Sequence, residues 1–141
     1  MARTTWVYDP HSGGTKIPER TKDRIRKRIL KHAEANYAGK YLRIDVRFRG
    51  KFCYIDAYTE PQLSGDYDSQ LIGVSREQYI DQMRNSPMHL CRLRYFGNDD
   101  RWSMDFYTYS HEKYEPCVFN DGDWMGTPEQ AFDASSVYLS A

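Results

Sequence analysis

Asp45, Asp56 and Asp105 each stand among arginines and tyrosines on stretches that alternate polar with apolar residues. Carboxylates in such a setting can hold a divalent cation, share a proton or pair with a guanidinium. In "YLRIDVRFRGKFCYIDAYTEP", Leu42, Ile44, Val46 and Phe48 alternate with Arg43, Asp45, Arg47 and Arg49, the period of a strand with one buried face. Gly50-Lys51 fits a two-residue II′ turn, and that turn fixes a register. Arg49 then faces Phe52, Arg47 faces Tyr54, Asp45 faces Asp56 and Arg43 faces Tyr58.

Two like charges directly opposite destabilise a sheet unless something neutralises them. A Mg²⁺ ion between Asp45 and Asp56, with Asp105 as a third acid, would make a metal-dependent phosphodiesterase. A metal-free acid pair needs one raised pKa, which neighbouring arginines oppose. An arginine network is the simplest outcome, so no residue is assigned a catalytic role and no metal or cofactor is expected.

The elements that position these residues can be read in turn. "PERTKDRIRKRILKHAEANYAG" is a helix, with Pro18 suited to its first position and Gly39 to the residue past its end. Ile25, Ile29, Ala33 and Tyr37 recur every four residues, with Leu30 beside them, and mark the buried stripe. Arg20, Arg24, Lys27, Arg28 and Lys31 lie nearly opposite and form a cationic exposed stripe. "SREQYIDQMRNSP" reads as a second, shorter helix with a Ser75/Gln78 capping box and Tyr79, Ile80 and Met83 on its buried side.

A second hairpin follows in "HLCRLRYFGNDDRWSMDFYTYS". Alternation places His89, Cys91, Leu93 and Tyr95 on the inner face with Trp102, Met104 and Phe106, and sets Arg92 against Asp105 outside. Both hairpins carry Asp-x-Tyr-Thr, at Asp56 to Thr59 and at Asp105 to Thr108, and each follows a helix. The expected fold is therefore α+β, αββαββ-like, with an antiparallel sheet of four to five strands and helices on one face. Residues 1–141 form a single domain, divided into an N-terminal loop (1–17), two helix-hairpin units (18–60 and 75–110) and a C-terminal part (111–141). That last part holds a short strand around Val118 and a helix capped by Thr127, Pro128 and Gln130.

Composition narrows the function. Twelve tyrosines suit half-exposed sheet faces and binding surfaces. Net charge is zero, yet residues 1–51 hold 14 Lys/Arg against 5 Asp/Glu and the remainder 6 against 15. That asymmetry points to a polyanionic partner or to neutralisation across the fold. Cys53, Cys91 and Cys117 are odd in number and widely spaced, which argues for free thiols rather than disulfides or zinc ligands. No apolar run reaches the roughly 18 residues of a membrane span, and "MARTTWVYDPHSGG" resembles no signal peptide, so the expected location is cytoplasmic.

Three smaller features have ordinary readings beside functional ones. His111, Glu112, Glu115 and Cys117 gather metal-ligand types at a spacing that matches no motif. Gly13 and Gly14 can form an anion nest ahead of the first helix, or simply a turn. Trp6 and Trp124 can cap a core edge or anchor an interface.

The leading expectation is a small non-catalytic binding protein whose partner is nucleic acid or another polyanion, an acidic protein being the alternative class. Its surface would be the helix stripe together with Arg43, Arg47, Tyr54 and Tyr58. Arginine and tyrosine interleaved on a sheet can stack bases and pair phosphates. The rivals are a protein-protein module, inhibitor or subunit, including a head-to-tail homo-oligomer, and the phosphodiesterase using the Asp pair.

Overall fold

Strict alternation in two hairpins dictates the central feature, an antiparallel sheet in sequence order β1-β2-β3-β4-β5. A computed structural model describes residues 12–61, 73 and 75–139. Its strands are β1 (Arg43–Arg49), β2 (Phe52–Tyr58), β3 (Met88–Tyr95), β4 (Trp102–Thr108) and β5 (Lys113–Cys117). Helix α1 (Glu19–Tyr37) precedes β1, α2 (Arg76–Arg84) separates β2 from β3, and α3 (Pro128–Ser135) follows β5 and leads into a 3₁₀ turn, Ser136–Leu139. The architecture is the expected single-domain α+β fold. Trp6 lies outside the described residues.

The first hairpin has the register that its turn implies, Asp45 facing Asp56 and Arg47 facing Tyr54 included. Gly50 takes φ +60° and Lys51 a negative φ, the II′ combination that matches strand twist. β3 and β4 pair as expected, with Arg92 opposite Asp105 and Leu93 opposite Met104. The β2–β3 ladder departs from simple alternation. Ile55 pairs with Cys91, but Asp56 pairs with His89, so Leu90 is an extra residue in a bulge. Leu90 and Cys91 are both buried, and His89 is carried to the outer face beside Asp56. The expected inward histidine is thus corrected by one inserted residue.

The core fills the space between the inner sheet face and two helices. α1 contributes Ile25, Ile29 and Ala33, α3 contributes Ala131 and Phe132, and the strands contribute Val46, Ile55, Leu93, Trp102 and Met104. Each fully buried aliphatic or aromatic side chain adds about 1.5–3 kcal/mol. Pro18 proves to be the N-cap rather than the first helical residue, its carbonyl accepting from Lys22 N at 3.0 Å. Gly39 supplies the left-handed residue beyond the helix end, at φ +86°. The Thr127/Gln130 capping box forms with Pro128 opening α3.

α2 has its expected Ser75/Gln78 capping box but buries none of its residues, and Met83 is 39% exposed. Its apolar side borders a groove of about 560 Å³ that Pro87, Met88, Tyr109 and Tyr138 also line. Helices α1 and α3, rather than α2, cover the inner face. β5 ends at Cys117, one residue before the Val118 around which a strand was expected.

Ahead of α1 the chain straps the first hairpin to β3. Thr15 N donates to Tyr95 O at 2.9 Å and Ile17 N to Gly50 O at 3.0 Å. Gly14, at φ +96°, lies so close that a Cβ would stand 2.8 Å from the Tyr95 carbonyl oxygen. The Gly13 carbonyl accepts from Arg94 at 2.9 Å. Close packing accounts for Gly14, whereas Gly13 has ordinary clearance and a φ of +79°. Among the described residues, no helix is long and apolar enough to cross a membrane.

Candidate functional site

Outward-facing side chains of all five strands make one polar and aromatic surface. Its centre is Asp56, only 2% exposed, whose burial as an ion requires partners for both oxygens. Arg47 donates to Asp56 Oδ2 at 2.8 Å, and His89 Nδ1 lies 2.9 Å from Oδ1. Arg47 also reaches Asp45, Nε to Oδ2 at 3.4 Å. The facing acid pair is therefore bridged by an arginine, which raises the guanidinium's own pKa through Asp56 and Asp45 against the opposing effect of burial. In the second hairpin Arg92 holds Asp105 in the same way, with Nε and Nη2 at 2.8 and 2.6 Å from Oδ2. The two Asp-x-Tyr-Thr stretches thus place their aspartates in matching ion pairs. Among the described residues, no group of three His, Cys, Asp or Glu is placed to hold a metal ion.

Arginines lie over aromatic rings throughout this surface. The guanidinium of Arg43 sits 4.0 Å from the Tyr58 ring centroid, and that of Arg47 sits 5.1 Å from Tyr54. Arg92 and Arg94 lie 4.3 and 4.8 Å from the Phe52 ring. Tyr114, on β5, connects the rings, with centroids 5.7 Å from Tyr54 and 5.0 Å from Tyr107. Burial and the nearby Asp56 charge push the Tyr114 hydroxyl pKa well up, so the phenol stays neutral.

The tip of the first hairpin differs in charge. Lys16, Arg49, Gly50, Lys51, Phe52 and Tyr54 line a shallow pocket of about 510 Å³, with three cations and no carboxylate in its wall. The Lys51 ammonium lies 5.8 Å from the Phe52 ring centroid. Such a wall offers a negative group both charge and an aromatic surface.

The expected helix stripe is split. Arg24 grips Asp99 at 2.8 and 3.2 Å, and Arg28 grips both oxygens of Glu129 at 2.9 and 2.7 Å while also reaching Asp100 at 2.9 Å. The C-terminal half thereby supplies carboxylate partners to two of the five cations, the Arg24 side chain staying 54% exposed. Burial is the largest influence and resists Glu129 ionisation, but the Arg28 hydrogen bond and charge, a backbone hydrogen bond and His32 together outweigh it and lower the Glu129 pKa. Arg20, Lys27 and Lys31 are exposed and have no partner among the described residues. Because α1 packs on the inner sheet face, these three point away from Arg43, Arg47, Tyr54 and Tyr58. The two expected sets do not form one footprint.

Other candidates resolve locally. His111 Nδ1 lies 2.6 Å from Glu115 Oε1 on an exposed turn. Burial pushes the Cys91 thiol up to about 12 and Cys117 up to about 11, the reverse of nucleophile activation. Alternation alone missed His89, because a bulge leaves no mark on residue type, and missed Lys16, which joins the pocket from outside the hairpin. No family model, curated protein or solved structure matches this chain.

Proposed function

We propose that this protein binds a single-stranded nucleic acid on the outer face of its sheet, entering through the cationic tip of the first hairpin. The observation that carries this reading is the pocket of Lys16, Arg49 and Lys51 around Phe52 and Tyr54, which contains no carboxylate. Phosphates meet the three cations, and bases stack on exposed aromatic edges and on the guanidinium planes of Arg43 and Arg47. Each stacked base contributes about 1–3 kcal/mol in sites of this kind. The strand then runs along β1 and β2, where Tyr54 and Tyr58 are half-buried and Arg43, Arg47 and Arg49 are exposed.

Several features favour a single strand over a duplex. The aromatic rings and guanidinium groups lie on the strands of an open sheet face, where unpaired bases can stack, and bases within a duplex are not available for such stacking. Cytoplasmic residence remains part of the proposal. The head-to-tail oligomer has less support, since Asp99, Asp100 and Glu129 already meet cations of the same chain.

Binding of labelled oligonucleotides at several salt concentrations tests the reading. Single-stranded RNA or DNA of about ten nucleotides should bind with an affinity that falls steeply with salt, the logarithmic slope being about −0.7 per phosphate neutralised. Lys51→Ala with Arg49→Ala should lower that slope by one to two phosphates. A slope unchanged in the double variant, or no binding at low salt, refutes the proposal.

A further inference from the structure

We propose that His89 is a general base on the same face, and that the protein cleaves single-stranded RNA by attack of the ribose 2′-hydroxyl on the adjacent phosphodiester. The inference rests on the binding reading above and adds an activity to it.

The geometry begins with Asp56. A carboxylate can only accept, so both groups that meet it must donate: Arg47 at Oδ2 and the Nδ1–H of His89 at Oδ1. The neutral imidazole therefore carries its lone pair on Nε2. Nε2 has no partner among the described residues, and the His89 side chain is 32% exposed. A buried carboxylate fixing one nitrogen of a partly exposed imidazole, with the other nitrogen unpartnered among the described residues, is the arrangement that a general base requires.

The backbone reinforces it. Without the bulge at Leu90, His89 would point into the core. The inserted residue turns it toward the outer surface, a re-aiming for which bulges beside active sites are used. Tyr107 then packs against the ring, and a backbone hydrogen bond anchors the residue. The ring centroid lies 4.7 Å from that of Tyr107, and the His89 backbone N–H donates to the Tyr109 hydroxyl at 2.7 Å. Arg47, bonded to the same carboxylate as His89, places a guanidinium beside the imidazole, where charge develops on the phosphoryl oxygens. Asp56 touches no substrate atom and is a positioning residue.

The step balances as a transesterification. His89 Nε2 takes the proton of the 2′-hydroxyl, O2′ forms a bond to phosphorus and the P–O5′ bond breaks. The departing 5′ oxygen takes a proton from water, and the imidazolium then returns its own to solvent. The products are a 2′,3′-cyclic phosphate and a 5′-hydroxyl end. DNA lacks the nucleophile and would be bound without being cut.

The experiment incubates the full chain with a 5′-labelled single-stranded RNA, the same sequence as DNA, and an RNA carrying a single 2′-deoxy residue. Products are resolved by gel and mass spectrometry, and binding is measured in parallel. RNA cleavage to cyclic phosphate ends, blocked locally by the 2′-deoxy residue and lowered at least about 100-fold in His89→Gln, supports the inference. Asp56→Asn should lower turnover with RNA affinity kept, and the ¹⁵N shifts of His89 should show its preferred tautomer lost. RNA that binds and stays intact overturns the catalytic inference and leaves the binding reading standing, whereas RNA that fails to bind overturns both. Cleavage that persists unchanged in His89→Gln, or that cuts DNA equally, also overturns it. The 2′-deoxy substrate keeps the test decisive even if the variants fold poorly.

Discussion

Arg47 donates to Asp56 at 2.8 Å from a side chain that is half exposed, while the aspartate it neutralises is almost wholly buried. The two ends of this pair therefore respond unequally to substitution. Arg47→Ala leaves a buried charged acceptor with one partner fewer, for which about 1–3 kcal/mol of destabilisation is expected. Arg47→Ala combined with Asp56→Ala removes both charges and should be less destabilised than the sum of the single changes. Urea unfolding of the four proteins in a double-mutant cycle measures the coupling, and a coupling near zero would show the pair to be incidental.

Arg28 and Glu129 join α1 to α3, and their pairing sets a pH window. Glu129 has a folded pKa below its usual 4.5, because the Arg28 hydrogen bond and charge, with a backbone hydrogen bond and His32, together exceed the large opposing effect of burial. A carboxylate depressed in the folded state contributes stability above its unfolded pKa and loses it as pH falls through the folded value. The melting temperature should therefore fall as pH drops below about 4.5, and Glu129→Gln should fall less steeply over that range while being less stable at pH 7. Calorimetry between pH 3 and 7 reads this directly. Parallel curves for the two proteins would remove Glu129 from the account.

Much of this fold is written in local rules, and its departures have identifiable causes. A two-residue turn at Gly50 and strict alternation fixed every pair from Arg43–Tyr58 to Arg49–Phe52. Thr127, Pro128 and Gln130 marked the start of α3 because capping is satisfied within four residues. His89 escaped because one extra residue in β3 inverts the faces beyond it, and Leu90 and Cys91 look alike on either side. Tyr79, Ile80 and Met83 predict a buried side for α2, yet periodicity states only which side is apolar, not whether anything covers it. Helical spacing puts Arg24 and Arg28 on an exposed cationic stripe and cannot show their carboxylate partners, which stand more than seventy residues away.

The cysteines test the depth of the core. Cys53 and Cys91 are fully buried and their thiol pKa values are raised chiefly by that burial, while half-buried Cys117 rises to about 11. The unfolded chain ionises near pH 9 and the native core does not, so stability contributed by these protonated thiols is lost as pH climbs above the unfolded value. Iodoacetamide at pH 8 should label Cys117 slowly and leave Cys53 and Cys91 unmodified until denaturant is added. Mass spectrometry of peptides counts the labels, and rapid native labelling of Cys91 would contradict the packing of β3 against α3.

Gly14 and Gly50 both hold positive φ, yet substitution at each should have a different cost. Gly50→Ala meets open space, so it suffers only the backbone strain of a non-glycine residue at the first II′ position, about 1–3 kcal/mol. Gly14→Ala adds to that strain a Cβ at 2.8 Å from the Tyr95 carbonyl oxygen, which is backbone and cannot swing aside. The strap must lift, and with it the Thr15–Tyr95 hydrogen bond and the approach of Lys16 to the hairpin tip. Gly14→Ala should thus destabilise by at least about 2 kcal/mol. It should also weaken oligonucleotide binding more than Gly50→Ala does, because only Gly14→Ala displaces the strap that carries Lys16. Thermal unfolding and salt-dependent binding of the two variants separate strain from displacement, and equal losses in both would show that the strap does not position Lys16.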